Sequence, residues 1–121
     1  MTADAGAAPG ACVFCAIVAG TAPSQRVWED GTCVALRDIN PQAPVHVLVV
    51  PRAHIATVDG LSPHPDIAGS LMAVAADGAR REGIDHLGYR VVVNQGSHGG
   101  QTVGHVHLHV LGGRRFRWPP G

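Results

Sequence analysis

Gly104-His105-Val106-His107-Leu108-His109-Val110-Leu111 is the stretch that decides how this chain folds. Imidazoles alternate with aliphatic side chains, and alternation is the period of a β-strand, whose successive residues point to opposite faces. Val106, Leu108 and Val110 share a face that can enter a core. His105, His107 and His109 share the other face, which must meet something polar. Gly112-Gly113 ends the strand. A surface histidine cluster is the bland alternative, but the alternation is strict and the strand is otherwise core-like. A three-histidine metal site on this row is disfavoured, because the outer pair of a strand row is roughly 13 Å apart at a rise of about 3.3 Å per residue.

Outward from the row, Asn94-Gln95-Gly96-Ser97-His98-Gly99-Gly100-Gln101-Thr102 contains a glycine-rich loop over residues 96–100, preceded by a strand over residues 89–94. Residues 66–81 read as the one long helix, with Ile67, Leu71, Val74 and Ala75 at helical spacing and Pro65 just before them. Residues 45–50 read as a strand stopped by Pro51, after a loop over 38–44 with two prolines. Residues 26–29 and 32–36 flank Asp30-Gly31 and read as a hairpin with a type I′ turn. Residues 13–19 form a short N-terminal helix closed by Gly20. The sum is an α+β fold: an antiparallel sheet of about five strands with one long and one short helix. Residues 12–121 read as a single domain behind a flexible, small-residue tail over 1–11.

At 121 residues one compact core is feasible, and a dimer would bury more surface. The formal net charge is zero, which gives no basis for a nucleic-acid or acidic-membrane partner. No window reaches the roughly 18 apolar residues of a membrane span, and the N-terminus lacks the features of a secretory signal. Three cysteines make no disulfide framework, so a reducing cytoplasm is expected.

Imidazole titrates near pH 6.5, so it can be a neutral nucleophile near pH 7. Neighbouring imidazoles oppose each other's protonation, which keeps one free to attack while another serves as acid. His107, flanked on both sides, is best placed to attack. An amine leaves phosphorus only once protonated, so a histidine-rich site suits P–N cleavage. The glycine-rich loop lets backbone N–H groups approach an anion. Cys12-Val13-Phe14-Cys15 permits two thiolates on one metal, or a redox pair.

Residues 94–113 resemble the signature of the histidine triad superfamily, and the likeness extends back to Cys12. Arg37-Asp38-Ile39-Asn40-Pro41-Gln42-Ala43-Pro44-Val45-His46, continuing to Pro51-Arg52-Ala53-His54, and the terminal Trp118-Pro119-Pro120-Gly121 are similar to the Hint branch. The resemblance implies a homodimer whose two sheets join, and hydrolysis of adenosine 5′-phosphoramidate-type substrates. It implies that His107 forms a covalent nucleotidyl intermediate, that His109 contacts phosphate and moves protons, and that His46 is an additional active-site histidine. Asp38 falls where the family binds the ribose hydroxyls. Phe14, Ile17, Leu36 and Ile39 fall in the apolar slot for the base, and Asn94, Gln101 and Thr102 on the phosphate side. Leu36 stands where an aromatic is common, and Gly104 where a bulkier residue is usual. The expected ligand is a purine nucleoside monophosphate such as AMP or GMP. Some bacterial members carry C-x₂-C with two distant histidines as a structural zinc site, which implies Cys12, Cys15, His54 and His105 as zinc ligands, with no metal needed for the chemistry.

A dinucleoside-polyphosphate hydrolase or nucleotidyl transferase would share the same site. A nucleotide-binding regulatory module with little turnover is an alternative of another class. Elsewhere, Cys33 reads as a buried strand cysteine. His64, His86 and His98 read as solvent-facing, Arg114, Arg115 and Arg117 as a solvated face, and Trp118-Pro119-Pro120 as a tail packed on the partner subunit.

Overall fold

The computed structural model describes residues 11–121; the tail expected over 1–11 lies, apart from Ala11, outside them. Five strands, β1 (Arg26–Glu29), β2 (Cys33–Arg37), β3 (Val45–Pro51), β4 (Arg90–Val93) and β5 (Leu108–Gly112), form one sheet in the order β1-β2-β3-β5-β4. Every neighbouring pair is antiparallel. Among the described residues, three helices, α1 (Val13–Ala19), α2 (Pro65–Arg81) and the single turn α3 (Gly96–Gly99), and a 3₁₀ turn (Val58–Leu61) accompany the sheet. The expected α+β architecture is the observed one.

Helix α2 begins with Pro65 in its first turn, where proline's missing N–H costs nothing. Its Leu71, Val74, Ala75 and Ala79 pack on Ala35, Val47, Val49, Leu108 and Val110, which line one face of the sheet. Helix α1 is too short to be stable alone. It is held by burying Phe14 and Ile17 against Val34, Leu36, Leu48 and Val50 on the opposite face. Cys12 caps its start through Sγ, which accepts from Cys15 N–H, and Gly20, in the left-handed region at φ 80°, ends it. Both faces of the central strands are therefore covered, the aliphatic one by α2 and the other by α1.

Three local expectations are corrected. The strand expected over 104–111 joins the sheet only from Leu108, where Val49 and Val93 supply the last partners on either side. Residues 105–107 make no ladder pairs although β3 runs on to Pro51, and Val106 N–H instead donates to Ile55 O at 2.7 Å. The glycine-rich loop closes into the helical turn α3. The Asp30-Gly31 turn is not type I′, since neither residue has the positive φ that turn requires. Asp30 Oδ1 accepts from the backbone N–H groups of Thr32 at 2.8 Å and Cys33 at 2.7 Å, so a carboxylate organises the turn.

Strand β5 ends where two glycines are required. A Cβ at Gly112 would lie 2.6 Å from Ile84 Cδ1 and 2.9 Å from Ile84 Cβ, and Gly113 has φ +89°.

Candidate active site

The alternation that buries Val106 and places Leu108 and Val110 in the α2 core turns His105, His107 and His109 toward α1 and β3. His105 and His107 are buried, and His109 is half-buried. The three do not serve one centre. His105 turns to the N-terminal cysteines, and His109 to His46 on β3, with His107 between.

His107 Nδ1–H donates to the backbone carbonyl of His105 at 2.8 Å. That bond leaves Nε2 as the unprotonated nitrogen. The Phe14 ring packs 5.1 Å from the His107 ring, and the His109 ring lies 5.0 Å away on the other side. Burial pushes the His107 pKa below its usual value, although the carbonyl partner opposes the shift.

His46 and His109 meet ring to ring, with Nε2 of His46 2.9 Å from Nδ1 of His109. The Asp38 carboxylate stands 3.4 Å from the same His46 nitrogen, and Gln42 N–H donates to His46 Nδ1 at 3.0 Å. Burial first, then His107 and His46, push the His109 pKa down to about 4. Burial also lowers that of His46 against the attraction of Asp38. Near pH 7 the cluster is therefore neutral, with Asp38 the carboxylate facing it.

Cys12, Cys15, His54 and His105 form a second centre, their donor atoms all within 4.8 Å of one another. His105 Nδ1 lies 3.3 Å from Cys12 Sγ and 3.6 Å from Cys15 Sγ, and His54 Nδ1 lies 3.2 Å from Cys15 Sγ. A tetrahedral zinc ion with bonds of ~2.3 Å to sulfur and ~2.0 Å to nitrogen holds such donors about 3.5 Å apart. The four residues fit that ion in type, number and spacing. The far nitrogen of His105 donates to Pro51 O at 2.8 Å, which aims its Nδ1 lone pair at the sulfurs. Without metal, burial and then Cys12 raise the Cys15 thiol to about 11.

His105 joins the two centres. Its imidazole belongs to the Cys₂His₂ set, while its carbonyl holds His107.

Of the apolar slot, Phe14, Ile17 and Leu36 pack in one cluster beneath the row, whereas Ile39 is 99% exposed. Asn94 is half-buried and Thr102 exposed. The Gln101 side chain does not face the row. It is 1% exposed, and its carboxamide donates to Ala56 O and Val103 O and accepts from Gly96 N–H, so it braces the loop. Cys33 is buried, and His64, His86, His98, Arg114, Arg115 and Arg117 are exposed, as expected. The Trp118 side chain is 82% exposed. Gln42, Pro51 and Ile55 act through backbone atoms, which residue type does not disclose; the two prolines around Gln42 were the only signal.

The sequence profile of the HIT domain matches residues 19–116. The chain is 45% identical over 116 residues to the 14 kDa zinc-binding protein of Zea mays, covering 90% of this chain and 87% of that one. It resembles the crystal structure of a HIT family hydrolase from Legionella pneumophila, with a TM-score of 0.86 and 45% identity over 91% of this chain and 99% of that chain. It also resembles the crystal structure of a zinc-bound histidine triad family protein from Mycobacterium smegmatis, with a TM-score of 0.76 and 35% identity over 94% of this chain and 86% of that chain. With its histidine row, its sheet and this coverage in agreement, the chain belongs to the histidine triad (HIT) family.

Proposed function

We propose that this protein hydrolyses nucleoside 5′-phosphoramidates through a covalent intermediate on His107. The observation that carries the reading is the bond from His107 Nδ1–H to His105 O, which presents an unprotonated Nε2 beside a second, neutral imidazole. Family membership and the resemblance to a HIT family hydrolase support the hydrolase class.

His107 Nε2 attacks the α-phosphorus, and the P–N bond to the amine breaks. The departing nitrogen takes the Nε2 proton of neutral His109, and the negative charge left there faces the phosphohistidine cation. The ring of the phosphohistidine is then cationic, and its Nδ1–H already points at the His105 carbonyl, which stabilises that charge. Water attacks the phosphorus and returns a proton to His109, and the bond to His107 breaks to release the nucleoside monophosphate. The covalent step divides one hard displacement into two easier ones. Asp38 is suited to a vicinal diol, and Phe14, Ile17, Leu36 and Ile39 to a purine, AMP or GMP; Asn94, Gln101 and Thr102 belong to the phosphate side, Gln101 as a brace.

Cys12, Cys15, His54 and His105 hold a structural zinc, a reading supported by their geometry and by the zinc-binding relatives. Bound zinc fixes α1 and residue 105 and supplies no chemistry to the substrate. The edge strand β4 is free to extend the sheet across a two-fold axis, giving a homodimer, and two zinc-binding cysteines with a third outside any disulfide suit the cytoplasm.

The test is steady-state hydrolysis of an adenosine 5′-phosphoramidate bearing a fluorescent amine. We expect turnover by the natural protein and a loss of several orders of magnitude in His107→Ala with AMP binding retained. Equal inactivity of both, with AMP still bound, defeats the phosphoramidase reading. A preference for dinucleoside polyphosphates in the same panel would move the activity to that class.

A further inference from the structure

We infer that Gln42 is a positioning residue, whose backbone N–H fixes the tautomers of His46 and His109 and so sets which nitrogen of His109 presents a proton. The inference starts from one hydrogen bond whose polarity is unambiguous. A backbone N–H can only donate. His46 Nδ1, 3.0 Å from Gln42 N, must therefore accept, and a neutral His46 carries its proton on Nε2. That Nε2–H lies 2.9 Å from His109 Nδ1, which must accept in turn. His109 is left with its proton on Nε2, the nitrogen not engaged by His46. The chain Gln42 N–H, His46, His109 thus has one sense throughout, and it ends on a protonated nitrogen available to an acceptor.

Gln42 N is itself held. Asp38 Oδ1 accepts from Asn40 N–H at 2.8 Å, Gln42 Nε2 donates to Asn40 O at 3.0 Å, and Asp38 N–H donates to His46 O at 3.0 Å. Pro41 and Pro44 restrict the loop on either side. The titratable groups facing His46 are Asp38 from this loop and His109 from β5, with His107 beyond His109.

The same bond decides against a second reading of the cluster. Asp38, His46 and His109 bring three donor atoms within 4.8 Å of one another and would pass as a metal site. A metal on His46 Nε2 would force the ring proton onto Nδ1, against the Gln42 N–H. The lock makes His46 a fixed hydrogen-bond donor to His109 and disfavours it as a ligand.

That His109 Nε2–H serves a leaving amine rests on the proposed function; the tautomers do not. The test is histidine ¹⁵N NMR of the zinc-loaded protein near neutral pH. We expect His46 and His109 both as Nε2–H tautomers, with a coupling across the hydrogen bond between Gln42 N–H and His46 Nδ1. Gln42→Ala, which keeps the N–H and the flanking prolines and loses only the side-chain bond to Asn40 O, should retain the Nε2–H tautomers of both histidines. Gln42→Pro, which removes it, should populate the Nδ1–H form of His46 and lower kcat about fivefold with KM unchanged, the worth of one net hydrogen bond. A wild-type His46 protonated on Nδ1, or an unchanged His46 tautomer in Gln42→Pro, overturns the inference. Should Gln42→Pro not fold, the wild-type tautomer and coupling decide it alone. A confirmed lock without hydrolysis defeats only the activity reading, and hydrolysis with the opposite tautomer defeats only the lock.

Discussion

At the residue scale, the three histidines of one alternating row have three different surroundings. His105 looks to sulfur, His107 to Phe14 and a carbonyl, and His109 to another imidazole. His109→Ala should lower kcat by about 10²–10⁴, the usual worth of a general acid. Because His109 supplies the departing nitrogen's proton, the variant should lose most with strongly basic amines and least with weakly basic aryl amines. A series of phosphoramidates differing only in the amine measures this, and an equal loss across the series removes His109 from that role. The identity of the row was legible because imidazoles at i, i+2 and i+4 are legible. The bonds from His107 to a backbone carbonyl and from His109 to His46 were not, since residue type does not disclose them.

At the scale of elements, the two ends of β2 and β5 show how short segments set the sheet. The β1–β2 turn depends on the Asp30 carboxylate, which also accepts from Ser70 on α2 at 2.8 Å. Asp30→Ala removes the acceptor for two backbone N–H groups and should cost about 1–2 kcal/mol, read by denaturant unfolding. Gly112→Ala would press a methyl group into Ile84 and should cost about 1–3 kcal/mol. The companion Ile84→Val should cost less in that background than in the natural one, and a thermal-shift double-mutant cycle would show it. Helix α2 was readable from its apolar period and its leading proline. The hairpin was readable too, but its turn type was not: a side-chain carboxylate offered the backbone a better arrangement than the φ-positive turn that Asp-Gly favours in isolation.

At the scale of the whole molecule, the metal set and the histidine row are one mechanical unit. Stripping the metal from zinc-loaded protein with a chelator should lower Tm and reduce kcat together, because His105 O loses its fixed position beneath His107. Retained Tm and kcat after verified zinc loss would separate the two centres. Acid should also destabilise the fold. Burial lowers the folded-state pKa of His46, His107 and His109, the last from 6.5 to about 4. Between those values the unfolded chain binds more protons than the folded one, so stability falls as pH drops from about 6.5 toward 4. Denaturant midpoints over this range check it, and a midpoint independent of pH would contradict the neutral buried cluster.

The sequence by itself determined the strand period, the long helix, the paired cysteines and the imidazole row. These are local patterns, in which spacing along the chain dictates which side chains share a face. Only the tertiary structure decided that the histidine face is packed rather than open. It also turned Gln101 inward, left residues 105–107 outside the ladder and joined Gln42 to His46. Those outcomes depend on backbone groups and burial supplied by segments far apart in the chain, and no local pattern encodes where a distant carbonyl or amide will come to rest.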